Sequence, residues 1–308
     1  MRILIGTALN RELKTLKHLL FIVIFLGIIC GFFIPAFHSI YPGIPYFIGI
    51  MLFFNFLEIE TSWRRFFRPE LIVTLALSAL FMPLVVYYIL SRGLSIEYRI
   101  GLFLTAIAPS GIMMLVFSRF VPHKDYNLII SNFLATQFGT VLYLPLMTQW
   151  VIGAQVSISA VDLFFQTAAL VVTPYCVSLL VVKAGSPGLK ERLSLTGRRV
   201  IPLLVFLIIS SSISGAAQDI QWDWALFRVG AVVLLIYFLQ GGLAYAAGFL
   251  FGDKSIRNTL ALVGSSRNIQ LVLGIAVINF PPLVIIPMVL GIIFHHLTNL
   301  FWLWIFRK

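Results

Sequence analysis

Charge is what this sequence has least of. Only 11% of its 308 residues are Asp, Glu, Lys or Arg, against about a quarter in soluble globular chains. That is too little to coat a water-facing globule of this size, so a soluble domain is excluded. Cysteine is nearly absent. Cys30 and Cys176 both sit inside apolar blocks, and neither a disulfide framework nor a cysteine metal motif can be built from them. Carboxylates are scarce where they would matter most. All eleven acids, from Glu12 to Asp253, fall in polar gaps or at the ends of apolar blocks. None is expected at mid-membrane, where ion-driven carriers often keep one. No catalytic triad, phosphate loop or redox motif is present, and no polar cluster near one face suits an enzyme acting on lipid. The expectation is a protein that is not an enzyme and holds no metal or cofactor.

What the sequence does have is apolar length. Hydrophobic residues make up 60% of it, with a mean hydropathy of +1.01. They come in blocks near the length that spans a bilayer. Ten spans are predicted, at 18–37, 44–58, 71–90, 99–120, 127–152, 159–182, 199–217, 225–251, 257–279 and 283–306. The gaps between them leave no room for a soluble domain. The first span is read as an uncleaved helix rather than a signal peptide, because no small-residue cleavage site follows it.

The net charge of +11 sets topology rather than a nucleic-acid partner. Lys and Arg sit in short clusters between the blocks, the pattern that orients membrane helices. With both termini in the cytoplasm, the cytoplasmic segments hold eighteen of them and the opposite side three, Arg92, Arg99 and Arg228. The expected location is a plasma or inner membrane, with the lipid bilayer as solvent and no nucleic acid.

Ten spans divide into five and five, residues 1–153 and 154–308, with a basic cytoplasmic linker near 183–198. An odd number per half inserts the second half inverted, a common build for secondary transporters. The fourth span is preceded by Ser95-Ile96 and the ninth by Ser255-Ile256. Each has a small polar break in mid-helix, Ala108-Pro109-Ser110-Gly111 in one and Gly264-Ser265-Ser266 in the other. Proline removes a helix donor and glycine loosens what remains. Irregular backbone at membrane depth survives only where protein or a water-filled cavity satisfies it.

One cation remains, Arg267, about ten residues into the ninth span. A guanidinium stays charged at any accessible pH, and an unpaired charge at that depth costs several kcal/mol. It therefore needs an anion, carbonyls or water, or must reach the interface. Neutral polar residues lie around it: Asn268 and Gln270, Ser110, Ser131, Asn132, Thr136, Gln137 and Ser78. Any one of them can equally serve as an interhelical hydrogen bond. His295-His296 resembles a metal pair, but adjacent helical residues point about 100° apart, so packing or hydrogen bonding is expected.

The stretch from Gly101 through Pro109-Ser110-Gly111 to Phe120, then Lys124-Asp125 and a fifth span with Leu144-Pro145-Leu146, resembles the bile acid:sodium symporter family. The ninth-span segment Gly264 to Val277, with Arg267-Asn268, is similar to that family's glutamine-asparagine segment. The resemblance covers the span layout of the whole chain. It implies two inverted five-helix repeats whose broken fourth and ninth helices cross near the membrane centre. It also marks departures. The family's serine-asparagine sodium ligands fall at Met114-Leu115, its glutamate at Val263, its glutamine at Arg267, and its third-span glutamine at Ser78. The sodium sites look dismantled. Related arsenite permeases carry a segment similar to Ser266-Arg267-Asn268-Ile269-Gln270-Leu271, but their cysteine falls at Ser110.

The expectation is a carrier of a small organic anion working by alternating access, with sodium dispensable and an arsenite- or auxin-carrier-like efflux permease as the alternative. The expected substrate or ion site is Pro109, Ser110, Gly111, Ser131, Asn132, Ser265, Ser266, Arg267, Asn268 and Gln270.

Overall fold

In the computed structural model, residues 22–59, 68–118, 120–156 and 158–306 are described. Arg2, Arg11, Glu12, Lys14, Lys17, Glu60, Arg64, Arg65, Arg119, Arg307 and Lys308 lie outside them, as does the start of the first expected span. Among the described residues the chain is helical nearly throughout, with one isolated antiparallel bridge and no strand.

Seven helices are long and apolar enough to cross a membrane. They are α2 (Pro35–Leu57), α3 (Glu70–Leu90), α6 (Tyr126–Ile152), α7 (Ala160–Ala184), α8 (Pro187–Ala216), α9 (Trp224–Ala247, continued by a short turn to Phe251) and α12 (Ile286–Phe306, led by a turn from Pro282). Shorter pieces complete the chain: α1 (Ile22–Phe33), α4 (Ile96–Ile107), α5 (Met113–Ser118), α10 (Lys254–Ser265) and α11 (Ile269–Asn279). The exterior is apolar, with Phe33, Ile72, Trp150, Trp222 and Leu250 all exposed. The chain is a multi-pass helical membrane protein.

The scarce acids explain themselves at helix starts. Asp125 accepts from Leu128 N at 3.0 Å, Asp223 from Leu226 N at 3.0 Å and Asp253 from Ser255 N at 2.8 Å, so each caps its helix. A capping carboxylate satisfies amides that no carbonyl can reach and suits the positive end of the helix dipole. The bonds from Ser255 hold the Asp253 carboxyl below the usual aspartate range. Asp125 also ties three elements together. It accepts from Arg68 Nη1 at 2.6 Å, and its backbone amide donates to Thr259 Oγ1 at 2.9 Å. Arg68 in turn holds Glu70 at the start of α3. At the other end, Arg228 Nη2 donates to the Arg92 carbonyl at 2.8 Å, bringing together two of the three cations assigned to that side.

Two local expectations need correction, and the third span adds an irregularity. The stretch 183–198 is not an open linker. α7 runs to Ala184 and α8 starts at Pro187, leaving Gly185-Ser186 as the joint. Proline at the first helical position costs nothing, because the amide it lacks would have had no partner there. The third span is not a plain α-helix either. Around Pro83 it widens into π-helical stretches, Ala76–Phe81 and Val86–Leu90, as expected where proline removes a helix bond. The second span begins earlier than 44, as a 3-10 turn from Pro35 to Gly43.

Packing sorts the helices into two groups, joined where α6 lies on α7. α2 lies on α7 and α8, and α1 approaches α8 through Gly27 and Gly31. α9 lies on α10 and α12, α12 on α4, and α3 on α6. The closest approach in the second group is at Gly101 of α4. A β-carbon there would sit 2.2 Å from the Val284 carbonyl oxygen and 2.8 Å from the Pro287 ring. Gly101→Val should therefore cost at least the roughly 1–3 kcal/mol of an overpacked core. The check is the thermal unfolding midpoint in detergent, which should fall; an unchanged midpoint would contradict this packing.

Candidate functional site

The two breaks expected in the fourth and ninth spans are present, and they meet. α4 stops at Ile107 because Ala108 turns to extended backbone (φ −53°, ψ 140°) ahead of Pro109. α10 stops at Ser265 because Ser266 is extended too (φ −99°, ψ 116°). The extended residues lie antiparallel, with Ser110 opposite Arg267. Gly111 N donates to Ser266 O at 3.0 Å, and Asn268 N donates to Pro109 O at 2.7 Å. Each interrupted helix thus supplies the backbone partners that the other has lost.

Further groups at the first break are met by side chains. Ala106 O accepts from Gln240 Nε2 at 2.8 Å, and Ala108 O from Arg267 Nη1 at 3.1 Å. Ser110 O accepts from Gln137 Nε2 at 2.9 Å, and Ser110 N donates to Thr136 Oγ1 at 3.1 Å. The Ser110 hydroxyl donates to Asn132 Oδ1 at 2.9 Å, and the Asn132 amide reaches on to Thr74 of α3. On the other side, Ser265 and Ser266 both donate to Asn299 Oδ1 of α12, at 3.0 and 2.9 Å.

Arg267 occupies the centre. Its Nε donates to Gln240 Oε1 at 2.8 Å, and Nη1 faces the carbonyl end of α4. That end carries about half an elementary negative charge, which offsets part of the cost of a buried guanidinium. Among the described residues no carboxylate pairs with it. Arg267 is 3% exposed and Asn268 5%, so neither is fully sealed. This is a fixed cation with free donors beside irregular backbone.

The sequence candidates separate accordingly. Pro109, Ser110, Gly111, Ser265, Ser266, Arg267 and Asn268 form the meeting point, and Asn132 is bonded to it. Ser131 is buried on the adjoining face of α6. Gln270 is half-buried in the first turn of α11. Gln240, Asn299 and Thr74 were missed. The available signal was a single polar side chain within an apolar helix, which in membranes usually has a partner. His295 and His296 both place Nδ1 2.9 Å from Ile292 O, the hydrogen-bonding role expected of them. Met114 and Val263 are buried apolar side chains, and Ser78 bonds back to Thr74 O.

No family model matches the chain. It is similar to the uncharacterized protein YbaS of Bacillus subtilis (strain 168), with 26% identity over 289 residues, covering 88% of this chain and 91% of that one.

Gly111 makes the meeting point possible. A β-carbon there would lie 2.7 Å from Arg267 O and 2.8 Å from Arg267 C, both backbone atoms with little freedom to yield. Gly111→Ala should separate the two strands and destabilise the fold by about 1–3 kcal/mol. Hydrogen exchange at Asn268 N should rise with it. Wild-type protection in that variant would rule out so close an approach.

Proposed function

We propose that the chain is a secondary transporter that moves a small organic anion by alternating access around the meeting of the two interrupted helices. The observation that carries this reading is Arg267, a buried guanidinium with no carboxylate partner among the described residues and with donors left over. A buried charge of this kind is expensive unless something completes its shell, and an anionic solute with a planar carboxylate or sulfonate suits the guanidinium fork. Paired breaks favour a carrier, because unwound backbone at membrane depth is where such proteins bind their cargo.

In this reading the ten helical passages form two inverted five-helix repeats, residues 1–153 and 154–308, with α4–α5 and α10–α11 as corresponding broken helices. The resemblance to the bile acid:sodium symporters points the same way. The fixed Arg267 stands where those carriers bring in sodium, so transport here is sodium-independent. Both termini and the Gly185-Ser186 joint face the cytoplasm of a plasma or inner membrane.

Uptake into proteoliposomes tests the function, using labelled carboxylates, sulfonates and bile acids. Wild-type protein should accumulate at least one of them. Arg267→Ala should abolish that uptake while still inserting and folding, and Arg267→Lys should recover little, because an ammonium lacks the planar fork. Full activity in Arg267→Ala would remove the residue from the mechanism.

Topology has its own check in a variant lacking Cys30 and Cys176. Cysteines at positions 40 and 155 should react with an impermeant reagent from outside intact cells, and one at 190 should not. Labelling at 190 would refute the orientation.

A further inference from the structure

We infer that Gln240 is a positioning and specificity-determining residue for Arg267: it orients the guanidinium and, being neutral, leaves its positive charge for an anion. The inference rests on the transport reading above and deepens it.

Gln240 directly follows the apolar run Leu234-Leu235-Ile236-Tyr237-Phe238-Leu239 and is fully buried. Both ends of its amide are used. Oε1 accepts from Arg267 Nε at 2.8 Å, and Nε2 donates to Ala106 O at 2.8 Å. The chemistry allows one orientation. A flipped amide would set N–H against N–H at Arg267 and oxygen against oxygen at Ala106. One side chain from α9 therefore joins the carbonyl end of α4 to the middle of the break in the second interrupted helix. The backbone around it is held equally closely. A β-carbon on Gly264 would lie 2.7 Å from Gln240 O, so α9 and α10 touch main chain to main chain here.

Two fixed points orient a planar group. With Nε held by Gln240 and Nη1 by Ala108 O, the guanidinium cannot rotate, and its remaining N–H donors are fixed in that plane. Charge is the second part. A glutamate of the same size would still accept from Nε, but it would pair with Arg267 and compete with any anion. It would also turn a donor into an acceptor beside Ala106 O. A neutral amide holds the cation without neutralising it, and that combination selects for an anionic solute.

The test has two arms. The first is independent of transport. Thermal stability in detergent is measured for Gln240→Met, Arg267→Met and the double variant. If Gln240 holds Arg267, the double variant loses clearly less stability than the sum of the single losses, since contacting residues are not additive. Additive losses would overturn the positioning claim. The second arm measures uptake of the best-transported anion of the panel by Gln240→Glu, which preserves size and the bond to Nε. KM should rise by about tenfold or more, the effect of a new close charge pair, with a smaller change in kcat. An unchanged KM would overturn the charge claim even if the stability cycle shows coupling. If wild-type protein takes up no anion, the transport reading and the specificity claim fail together, and the stability cycle alone decides whether Gln240 positions Arg267.

Discussion

Backbone polar groups freed within a membrane must find partners inside the protein, and the centre of this molecule is built around that requirement. A lipid-exposed N–H or C=O costs several kcal/mol, so a helix cannot simply stop halfway across. Here two helices stop at the same place and complete each other. Two backbone bonds, Gly111 to Ser266 and Asn268 to Pro109, join them into a two-residue ladder. The carbonyls at Ala106, Ala108 and Ser110 are then taken by Gln240, Arg267 and Gln137. Gly111 is required because nothing larger lets the strands approach. The serines at 265 and 266 are required because they anchor the second break to Asn299.

The same requirement puts a cation where hydrophobic burial would never place one. The carbonyl end of α4 needs donors, and a guanidinium supplies several in one plane. Its charge is then only partly offset, by carbonyl dipoles and one neutral amide. An arrangement meant purely for stability would do better with Asn or Gln at 267, which can cap a carbonyl without a buried charge to compensate. The retained charge is what turns a structural joint into a candidate anion site, and the alternating-access reading rests on it.

Much of this was legible in the sequence, for a specific reason. Proline, glycine and paired serines are rare in mid-span, so Pro109-Ser110-Gly111 and Gly264-Ser265-Ser266 announce their breaks, and Arg267 stands out against an apolar background. Asp125, Asp223 and Asp253 were placed at or between span ends by the sequence, and the structure shows that each caps a helix. What was not legible depends on which helices become neighbours. Gln240 and Asn299 look like isolated amides until α9 and α12 are placed beside the breaks. On α6, one residue of register, about 100° around the helix, separates Asn132, which accepts from Ser110, from Ser131 on the adjoining face. Pro187 and Gly188 read as linker residues because the same residue types both break helices and begin them. Met114 and Val263 were apolar in the sequence, and the structure adds that both are buried.

A fixed guanidinium and a bound coupling cation are alternative sources of positive charge at the meeting of the broken helices, and they differ in one measurable respect. The most direct measurement is the initial rate of anion uptake as a function of external sodium, with the membrane potential clamped by potassium and valinomycin. If Arg267 supplies the charge, the rate stays flat from sodium-free buffer upward. A steep, saturable rise with sodium would contradict it, showing that a cation site persists beside Arg267 and that the guanidinium serves the fold alone.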